Sequence, residues 1–128
     1  MIYIETSVVL AQLLAEDRHP PDHLWNNQLV SSRLTEYEVW ARINARRLRD
    51  SHADAVRVLL QRLAWLELTT TVLSRALEPW PAPVRTLDAL HLASIEFLRS
   101  QAQQITLASY GERLVVAATL LQIPVFHL

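Results

Sequence analysis

Three acidic residues, Glu5, Glu38 and Asp88, have the side-chain type and the positions that divalent-metal chemistry requires. Glu5 directly follows the apolar stretch Ile2–Ile4, Glu38 lies early in the helical pattern after Leu29–Ser32, and Asp88 lies in "TLDALHLAS". If these carboxylates meet at one edge of a sheet, their charges repel one another unless a cation neutralises them. Oxygen ligands without cysteine suit Mg²⁺ or Mn²⁺ better than zinc. Such ions typically activate phosphate esters, so the pattern predicts metal-assisted chemistry on a phosphate ester.

Each carboxylate also has a structural explanation. Glu5 is equally suited to the positive end of a helix dipole. Glu38 follows Thr35 with the spacing of a capping box, which favours a structural role for Glu38 taken alone. Asp88 has apolar neighbours around every side of its helix, which predicts a buried carboxylate and favours a functional role. Glu36 is one position away from a capping role and is expected to face solvent.

Two further polar residues lie one helical turn from these carboxylates. His91 follows Asp88 by three positions, and the simplest interpretation is a core histidine with satisfied hydrogen bonds. An intermediate role is a hydrogen bond that orients Asp88. Arg42 lies one turn after Glu38, where it can approach a phosphate or, equally well, form a salt bridge with Glu38.

The elements that must position these residues are short apolar strands alternating with longer helical patterns. Strands are predicted at 2–4, 29–32, 66–70, 105–109 and 124–128, and helices at 7–16, 35–48, 53–66, 86–100 and 112–122. This alternation predicts parallel strands with helices on both faces of the sheet. We expect one domain over residues 1–128, folded as a three-layer α/β/α sandwich with a mostly parallel sheet of about five strands. Ligands of such sheets bind beyond the carboxyl ends of the strands.

The composition excludes several kinds of chemistry. The sequence has no cysteine, so it has no disulfide, thiolate ligand or cysteine nucleophile. All twelve basic residues are arginine, which excludes Schiff-base lysine chemistry and a Walker-type phosphate loop. A phosphoacceptor signalling domain is also disfavoured, because it needs a lysine and paired acidic residues after the first strand. The net charge of −1 does not indicate a protein that coats nucleic acid.

The local distribution of charge and apolar residues is less decisive. Arginines cluster in Ala41–Asp50, which we expect to lie along one helix; a solvated face is favoured over a nucleic-acid contact. No apolar run is long enough to cross a bilayer, and the start "MIYIETS" has no charged leader. A cytoplasmic protein is therefore expected.

Four segments of the sequence resemble the signature segments of PIN-domain proteins. In chain order they are "IYIETSVVLAQLLAE", "VSSRLTEYEVWARI", "RTLDALHLASI" and "ITLASYGERLVVAATLLQIPVF". The match runs from residue 2 almost to the end, and "LDALHLA" is its most specific piece. Within the family, the sequence is most similar to the VapC-type toxin ribonucleases of bacterial toxin–antitoxin pairs.

The resemblance implies an endoribonuclease that depends on Mg²⁺ or Mn²⁺ and cleaves structured RNA. It also implies a homodimer and a cognate VapB-type antitoxin that holds the enzyme inactive. The family's first three acidic positions fall on Glu5, Glu38 and Asp88, which would be the catalytic and metal-binding residues. Glu5 stands where the family has aspartate, and Thr6 and Ser7 match the hydroxyl residues that follow it. Metal-bound water would be activated for in-line attack.

The fourth acidic position of the family falls on Gly111, the only glycine of the chain. Its neighbour Glu112 has the capping-box spacing from Ser109, which favours a structural role for Glu112 over a ligand role. Ser109 would then cap the following helix, and its hydroxyl is also placed to bond a metal-bound water. Without a fourth carboxylate we expect one-metal chemistry, with Mn²⁺ tolerating the longer Glu5 better than Mg²⁺.

Two alternatives remain open. The departures at Glu5 and Gly111 are compatible with a weakened PIN fold that binds an antitoxin or RNA without cleaving it. The four tryptophans, Trp25, Trp40, Trp65 and Trp80, fit either an apolar dimer interface or ordinary core packing.

Overall fold

The computed structural model describes residues 1–128 and contains one sheet of four strands. The strands are β1 (Ile2–Ile4), β2 (Leu29–Ser32), β3 (Ala64–Leu66) and β4 (Thr106–Ala108). They lie in the order β3-β2-β1-β4, and every neighbouring pair is parallel. The helices are α1 (Thr6–Leu14), α2 (Arg33–Ala45), α3 (Arg49–Leu60), α4 (Thr70–Ala76), α5 (Thr86–Ser100) and α6 (Glu112–Leu120), and a short 3-10 helix spans Asp22–Asn26.

The central strand β1 shows how the two faces of the sheet are covered. Successive side chains of a strand point to opposite faces. Ile2 and Ile4 belong to a core cluster that is completed mainly by residues of α1, α2 and α3. Tyr3 belongs to a second cluster with residues of α5 and α6. Helices therefore cover both faces, which confirms the predicted α/β/α sandwich.

The sheet has four strands, so the prediction of a fifth strand at 124–128 is wrong. In this segment only Val125 forms an isolated parallel bridge, to Leu107. The Leu107 N–H donates to the Pro124 carbonyl at 2.8 Å, and the Phe126 N–H donates to the Leu107 carbonyl at 2.7 Å. Proline has no N–H to contribute to a ladder, so the pairing does not extend into a strand.

The third strand lies two residues earlier than predicted, at Ala64–Leu66 instead of 66–70. Thr69 caps α4, with its hydroxyl accepting a hydrogen bond from the Val72 N–H at 3.3 Å. The β-branched threonines of this segment favour strand by propensity, but a threonine hydroxyl can instead start a helix. Helix α4 was therefore not predicted.

The arginine cluster Ala41–Asp50 does not lie along one helix. Helix α2 ends at Ala45, Arg47 has a positive φ of 56°, and α3 begins at Arg49. Most of this turn is exposed, which agrees with a solvated surface. No helix is both long enough and apolar enough to span a membrane.

The tryptophans favour core packing over an apolar interface. Trp25 is buried within the first core cluster, and the other three are half-buried against the two clusters. Arginine guanidinium groups also lie over these three rings, at 3.7 Å from the ring centroid of Trp80 and at 4.7 Å and 5.2 Å from those of Trp40 and Trp65.

Candidate active site at the carboxyl edge of the sheet

The chain reverses its direction of progress across the sheet at β1. It passes from β1 outward to β2 and β3, then returns to place β4 on the other side of β1. A crevice forms beyond the carboxyl ends of the strands at such a reversal, and this is where open α/β sheets bind ligands. The segments that follow β1 and β4 therefore border the expected binding position.

Glu5 follows β1 and is the N-cap of α1. Its Oε2 accepts a hydrogen bond from the Ser7 N–H at 3.0 Å. Its Oε1 accepts hydrogen bonds from the Ser7 hydroxyl at 2.6 Å and the Ser109 hydroxyl at 2.7 Å. Glu5 thus performs the helix-capping role that was one of its two interpretations, and it also links the ends of β1 and β4.

The two serines that donate to Glu5 also hold the loop after β4. The Ser7 hydroxyl accepts a hydrogen bond from the Tyr110 N–H at 2.9 Å, and the Ser109 hydroxyl accepts one from the Gly111 N–H at 2.9 Å. A hydroxyl can donate one hydrogen bond and accept others, so each serine joins the carboxylate to the backbone. The predicted supporting residues Ser7 and Ser109 therefore both lie beside Glu5.

The predicted capping box between Ser109 and Glu112 is wrong. Gly111 is the N-cap of α6, and Glu112 is the first residue of this helix. The Ser109 hydroxyl accepts from the N–H two residues later instead of three, and the exposed Glu112 side chain makes no protein hydrogen bond or salt bridge. The backbone of Gly111 has φ −75° and ψ 110°, which any residue can adopt, so the glycine is not required by a turn.

Glu38 lies on α2 and faces both α1 and α5. Its Oε1 accepts hydrogen bonds from the Thr6 hydroxyl and from His91 Nε2, each at 2.8 Å. The predicted capping box of Thr35 and Glu38 is wrong, because Ser32 caps α2 by accepting from the Leu34 N–H at 3.0 Å. Helix α2 begins two residues earlier than predicted, so Glu38 lies in its second turn.

His91 bonds Glu38, and the alternative in which it orients Asp88 is not what the structure shows. The imidazole is only 2% exposed, and its Nδ1 lies 2.7 Å from the Tyr3 hydroxyl. If Nε2–H donates to the Glu38 carboxylate, Nδ1 carries no proton and accepts a hydrogen bond from the Tyr3 hydroxyl. His91 is therefore a fully hydrogen-bonded core histidine that also fixes Glu38.

Tyr3, Ser31 and Thr35 complete a buried polar cluster that the sequence did not reveal. Burial, and secondarily the negative charge of Glu5, raise the pKa of the Tyr3 hydroxyl well above its ordinary range. The Ser31 hydroxyl donates to the Ile4 carbonyl at 2.5 Å, and Thr35 Oγ1 lies 2.7 Å from Ser31 Oγ and 3.4 Å from Thr6 Oγ1. The only signal in the sequence is a hydroxyl-bearing residue within β1 and another within β2.

Asp88 is held more weakly than the other two carboxylates. It lies in the first turn of α5, is half-buried, and accepts one hydrogen bond, from the Arg85 N–H at 3.3 Å. The prediction that its helix is buried on every side is wrong, because Leu87 is 45% exposed. Thr86 and Leu87 in the first turn of α5 are both exposed, so the helix is not enclosed at its start.

None of these three carboxylates forms a salt bridge with an arginine. Arg42 does not pair with Glu38 and instead lines a cleft that also borders Ser7 and Gly111. Glu36, which was expected to face solvent, is 41% exposed and pairs with Arg33 at 3.2 Å.

The described side chains do not form a ready-made metal site. No group of three or more His, Cys, Asp or Glu residues is placed so that it could hold a metal ion. Glu5 and Glu38 are joined through neighbouring side chains, since Thr6 follows Glu5 and bonds Glu38. Asp88 is connected to them only through α5, which carries His91 one turn later.

Comparisons with known proteins agree with this architecture. A family model described as the PIN domain matches residues 2–120. A protein named Ribonuclease VapC35 from Mycobacterium tuberculosis is 35% identical over 131 aligned positions, which cover 98% of this chain and 95% of that protein.

Two solved structures show the same fold. One is VapBC2 from Rickettsia felis bound to a DNA fragment from their promoter, with a TM-score of 0.70, 14% identity and 98% of each chain covered. The other is VapC20 from Mycobacterium tuberculosis, described as a sarcin-ricin loop cleaving toxin, with a TM-score of 0.68 and 17% identity. That match covers 91% of this chain and 95% of VapC20.

Proposed function

We propose that this chain, which belongs to the PIN-domain family and within it to the VapC-type ribonucleases, hydrolyses RNA phosphodiester bonds with the help of Mg²⁺ or Mn²⁺. The observation that carries the proposal is the set of three carboxylates beyond the strand ends, none of which is neutralised by an arginine. Carboxylates that have no cationic partner in the protein can be neutralised by a bound metal ion instead.

The chemistry of the donor set fits a hard divalent cation. Glu5, Glu38 and Asp88 offer only oxygen atoms, which Mg²⁺ and Mn²⁺ prefer. Glu38 Oε2 has no protein hydrogen bond, and Asp88 has only one weak bond. Because no three of these groups are yet placed around a common point, Asp88 is the side chain we expect to reorient. A bound ion would polarise the phosphoryl oxygen and make a bound water more acidic.

The chain's own residues orient the carboxylates. The two 2.8 Å hydrogen bonds from Thr6 and His91 fix Oε1 of Glu38 and leave Oε2 without a protein partner, so that Oε2 is available as a ligand or water-positioning base. The hydroxyls of Ser7 and Ser109 donate to Glu5 and restrict the conformations of its side chain, which is longer than that of aspartate. Fixing the ligands in this way lowers the cost of ordering them when substrate binds.

The relatives suggest the partners. VapBC2 is by its description a two-component assembly, and VapC20 is described as cleaving the sarcin-ricin loop. We infer that this chain likewise cleaves a structured RNA, is held inactive by a VapB-type antitoxin, and acts in the cytoplasm as a homodimer.

The experiment that tests the proposal uses the chain purified without an antitoxin and incubated with total RNA and Mn²⁺. We expect discrete cleavage products that disappear with EDTA and in Asp88→Asn. The matched control is Glu78→Gln, which alters an exposed carboxylate between α4 and α5 that makes no protein hydrogen bond and should cleave as the unmodified chain does. If the unmodified chain and Asp88→Asn give the same RNA pattern, the nuclease proposal fails.

The second candidate function is a binding module that grips an antitoxin or RNA without cleaving it. The absence of a preformed three-carboxylate group and the glycine at position 111 favour it. This candidate predicts RNA or antitoxin binding that is unaffected by EDTA, together with no cleavage under any metal.

A further inference from the structure

Two surface clefts meet at Gly111. One has a volume of about 590 Å³ and the other of about 310 Å³, and Gly111 lines both. The larger cleft borders Ser7 beside Glu5, and the smaller one borders Asp88. One cleft therefore lies next to the Glu5 side of the candidate site and the other next to Asp88, and we call the two clefts together the trench.

The missing side chain at position 111 keeps the two halves of the trench connected. A Cβ placed on Gly111 would meet only two atoms within 4 Å, the Ser109 hydroxyl at 3.3 Å and Leu114 Cβ at 3.7 Å. The space farther out is open to both clefts, so a large side chain at this position would stand between them. Since the backbone is ordinary here, this openness is the structural property that glycine provides.

Both halves of the trench are lined by arginines that form no salt bridge with a carboxylate. Arg18 and Arg42 line the larger cleft, and Arg85 and Arg113 line the smaller one. All four are exposed, and none forms a salt bridge.

Arg18 is already oriented in the larger cleft. Its Nη1 donates to the Tyr110 carbonyl at 3.1 Å, and its guanidinium lies 5.4 Å from the centroid of the Tyr110 ring. An arginine held in this way loses less freedom when it contacts a phosphate.

From this arrangement, and resting on the proposed ribonuclease function, we infer that a single RNA strand crosses Gly111 along the trench. Arg18 and Arg42 contact phosphates on one side of the cleaved bond, and Arg85 and Arg113 contact phosphates on the other side. These four arginines are positioning residues, because they hold the strand while the carboxylates act on the phosphate between them.

The acidic residues of the trench favour contacts with individual phosphates over general attraction of anions. Glu16 and Asp17 line the larger cleft with its two arginines, and Asp88 and Glu112 line the smaller cleft with the other two. Each cleft is thus close to neutral, as is the whole chain with its net charge of −1. Four phosphate contacts on a single strand predict a salt slope, dlogK/dlog[salt], of about −3.

The test measures binding of fluorescent single-stranded RNA by anisotropy in EDTA, where no metal-dependent cleavage can occur. A trinucleotide that fits one cleft and an octanucleotide that spans both are titrated at several salt concentrations. We expect the double variants Arg18→Ala/Arg42→Ala and Arg85→Ala/Arg113→Ala each to reduce the octanucleotide's salt slope by about 1.4. The matched control is Arg99→Ala, since exposed Arg99 also donates to a carbonyl, that of Leu121, but lies outside the trench.

Continuity of the trench is tested with Gly111→Phe and Gly111→Ala. We expect Gly111→Phe to lower the affinity for the octanucleotide to the affinity for the trinucleotide. Gly111→Ala should change the octanucleotide affinity by less than about threefold. Thermal melts followed by circular dichroism check that both variants are folded. Equal octanucleotide affinity in Gly111→Phe and the unmodified chain would overturn the inference. So would arginine double variants whose salt slope and affinity match those of Arg99→Ala. Trench-dependent binding in EDTA without cleavage in Mn²⁺ would support the trench while rejecting the proposed ribonuclease function.

Discussion

The two sides of the candidate site differ in how firmly their carboxylates are held. On the bonded side, which consists of Glu5 and Glu38, five hydrogen bonds at 2.6–3.0 Å fix the carboxylate oxygens. On the open side, which consists of Asp88, Gly111 and Glu112, the only hydrogen bond to a carboxylate is the one at 3.3 Å to Asp88. The same predicted function therefore rests on one rigid half and one adaptable half.

This difference has a structural origin. The bonded side stands directly on the ends of β1 and β4 and at the buried start of α2, where polar groups must find protein partners. The open side is formed by the starts of α5 and α6, where Leu87 and Glu112 are exposed to solvent. Residues on the bonded side carry a structural role in addition to their predicted catalytic one, whereas on the open side this role is limited to the single bond between Asp88 and the backbone at the start of α5.

The largest expected contrast is between Glu38→Ala and Asp88→Ala. Both variants should lose RNA cleavage, by about 1000-fold, because a metal ligand contributes several kcal/mol to transition-state stabilisation. Only Glu38→Ala should also lower the free energy of unfolding strongly, by about 3 kcal/mol, because it leaves the buried His91 Nε2 without its carboxylate partner.

Urea denaturation of both variants measures this contrast. Asp88→Ala should lose less than about 1 kcal/mol, because its carboxylate is half-buried and accepts one long hydrogen bond. Equal destabilisation of the two variants would remove the distinction between the sides.

A smaller effect is expected for Tyr3→Phe, which acts on Glu38 indirectly, through His91. The change removes the hydroxyl 2.7 Å from His91 Nδ1 and leaves this buried nitrogen without a partner. We expect a loss of about 1–3 kcal/mol in unfolding free energy and about a tenfold loss in cleavage rate through a less fixed Glu38.

Tyr37→Phe is the control, because the Tyr37 side chain is 64% exposed. Tyr3→Phe should raise the Mn²⁺ concentration at which RNA cleavage is half-maximal. It should not weaken RNA binding in EDTA. An unchanged Mn²⁺ dependence would mean that His91 does not transmit the position of Tyr3 to Glu38.

A third variant, Gly111→Asp, converts the open side toward the family pattern. We expect Mn²⁺ binding to tighten about tenfold, which corresponds to about 1.4 kcal/mol from one added carboxylate. The new Cβ must displace the Ser109 hydroxyl by a few tenths of an ångström from 3.3 Å, so stability should change little. Isothermal titration with Mn²⁺, compared with Gly111→Asn as the uncharged control, measures the effect; equal affinities for the two variants would contradict it.

The smallest effect belongs to Glu112→Gln. The Glu112 side chain is exposed and has no protein hydrogen bond, so cleavage should change by less than about twofold and stability by less than about 0.5 kcal/mol. A loss of cleavage as large as that of Asp88→Ala would instead identify Glu112 as the substitute for the missing fourth carboxylate.

The fold could be predicted from the sequence because its main signals are local. Strands β1 and β2 were predicted with their observed bounds, and so was α5 from Thr86 to Ser100. The alternation of strands and helices then required a parallel sheet. The position of β3 was missed because Thr69 and Thr70 can serve equally well in a strand or at a helix start.

The contacts of the site residues could not be predicted in the same way. The spacing of Thr35 and Glu38 matches a capping box, but Thr35 Oγ1 instead lies within hydrogen-bonding distance of Ser31 Oγ and beside Thr6. His91 was considered as a partner of Asp88, three positions away, yet it bonds Glu38 at a separation of 53 residues. Sequence spacing shows which groups can meet within one helix, whereas these bonds depend on how separate helices pack. The catalytic roles of Glu5, Glu38 and Asp88 stay predictions.

The bond between Glu5 and Ser109 also sets when a newly made chain can become active. The two residues are 104 positions apart, and β1 lies between β2 and β4 in the sheet. Until the ribosome has released β4, the first strand lacks one of its neighbours and Glu5 lacks one of its donors. Contacts between such distant residues form late, because the long loop between them must first be closed. A growing chain therefore lacks the complete set of donors to Glu5 until β4 and Ser109 have emerged from the ribosome.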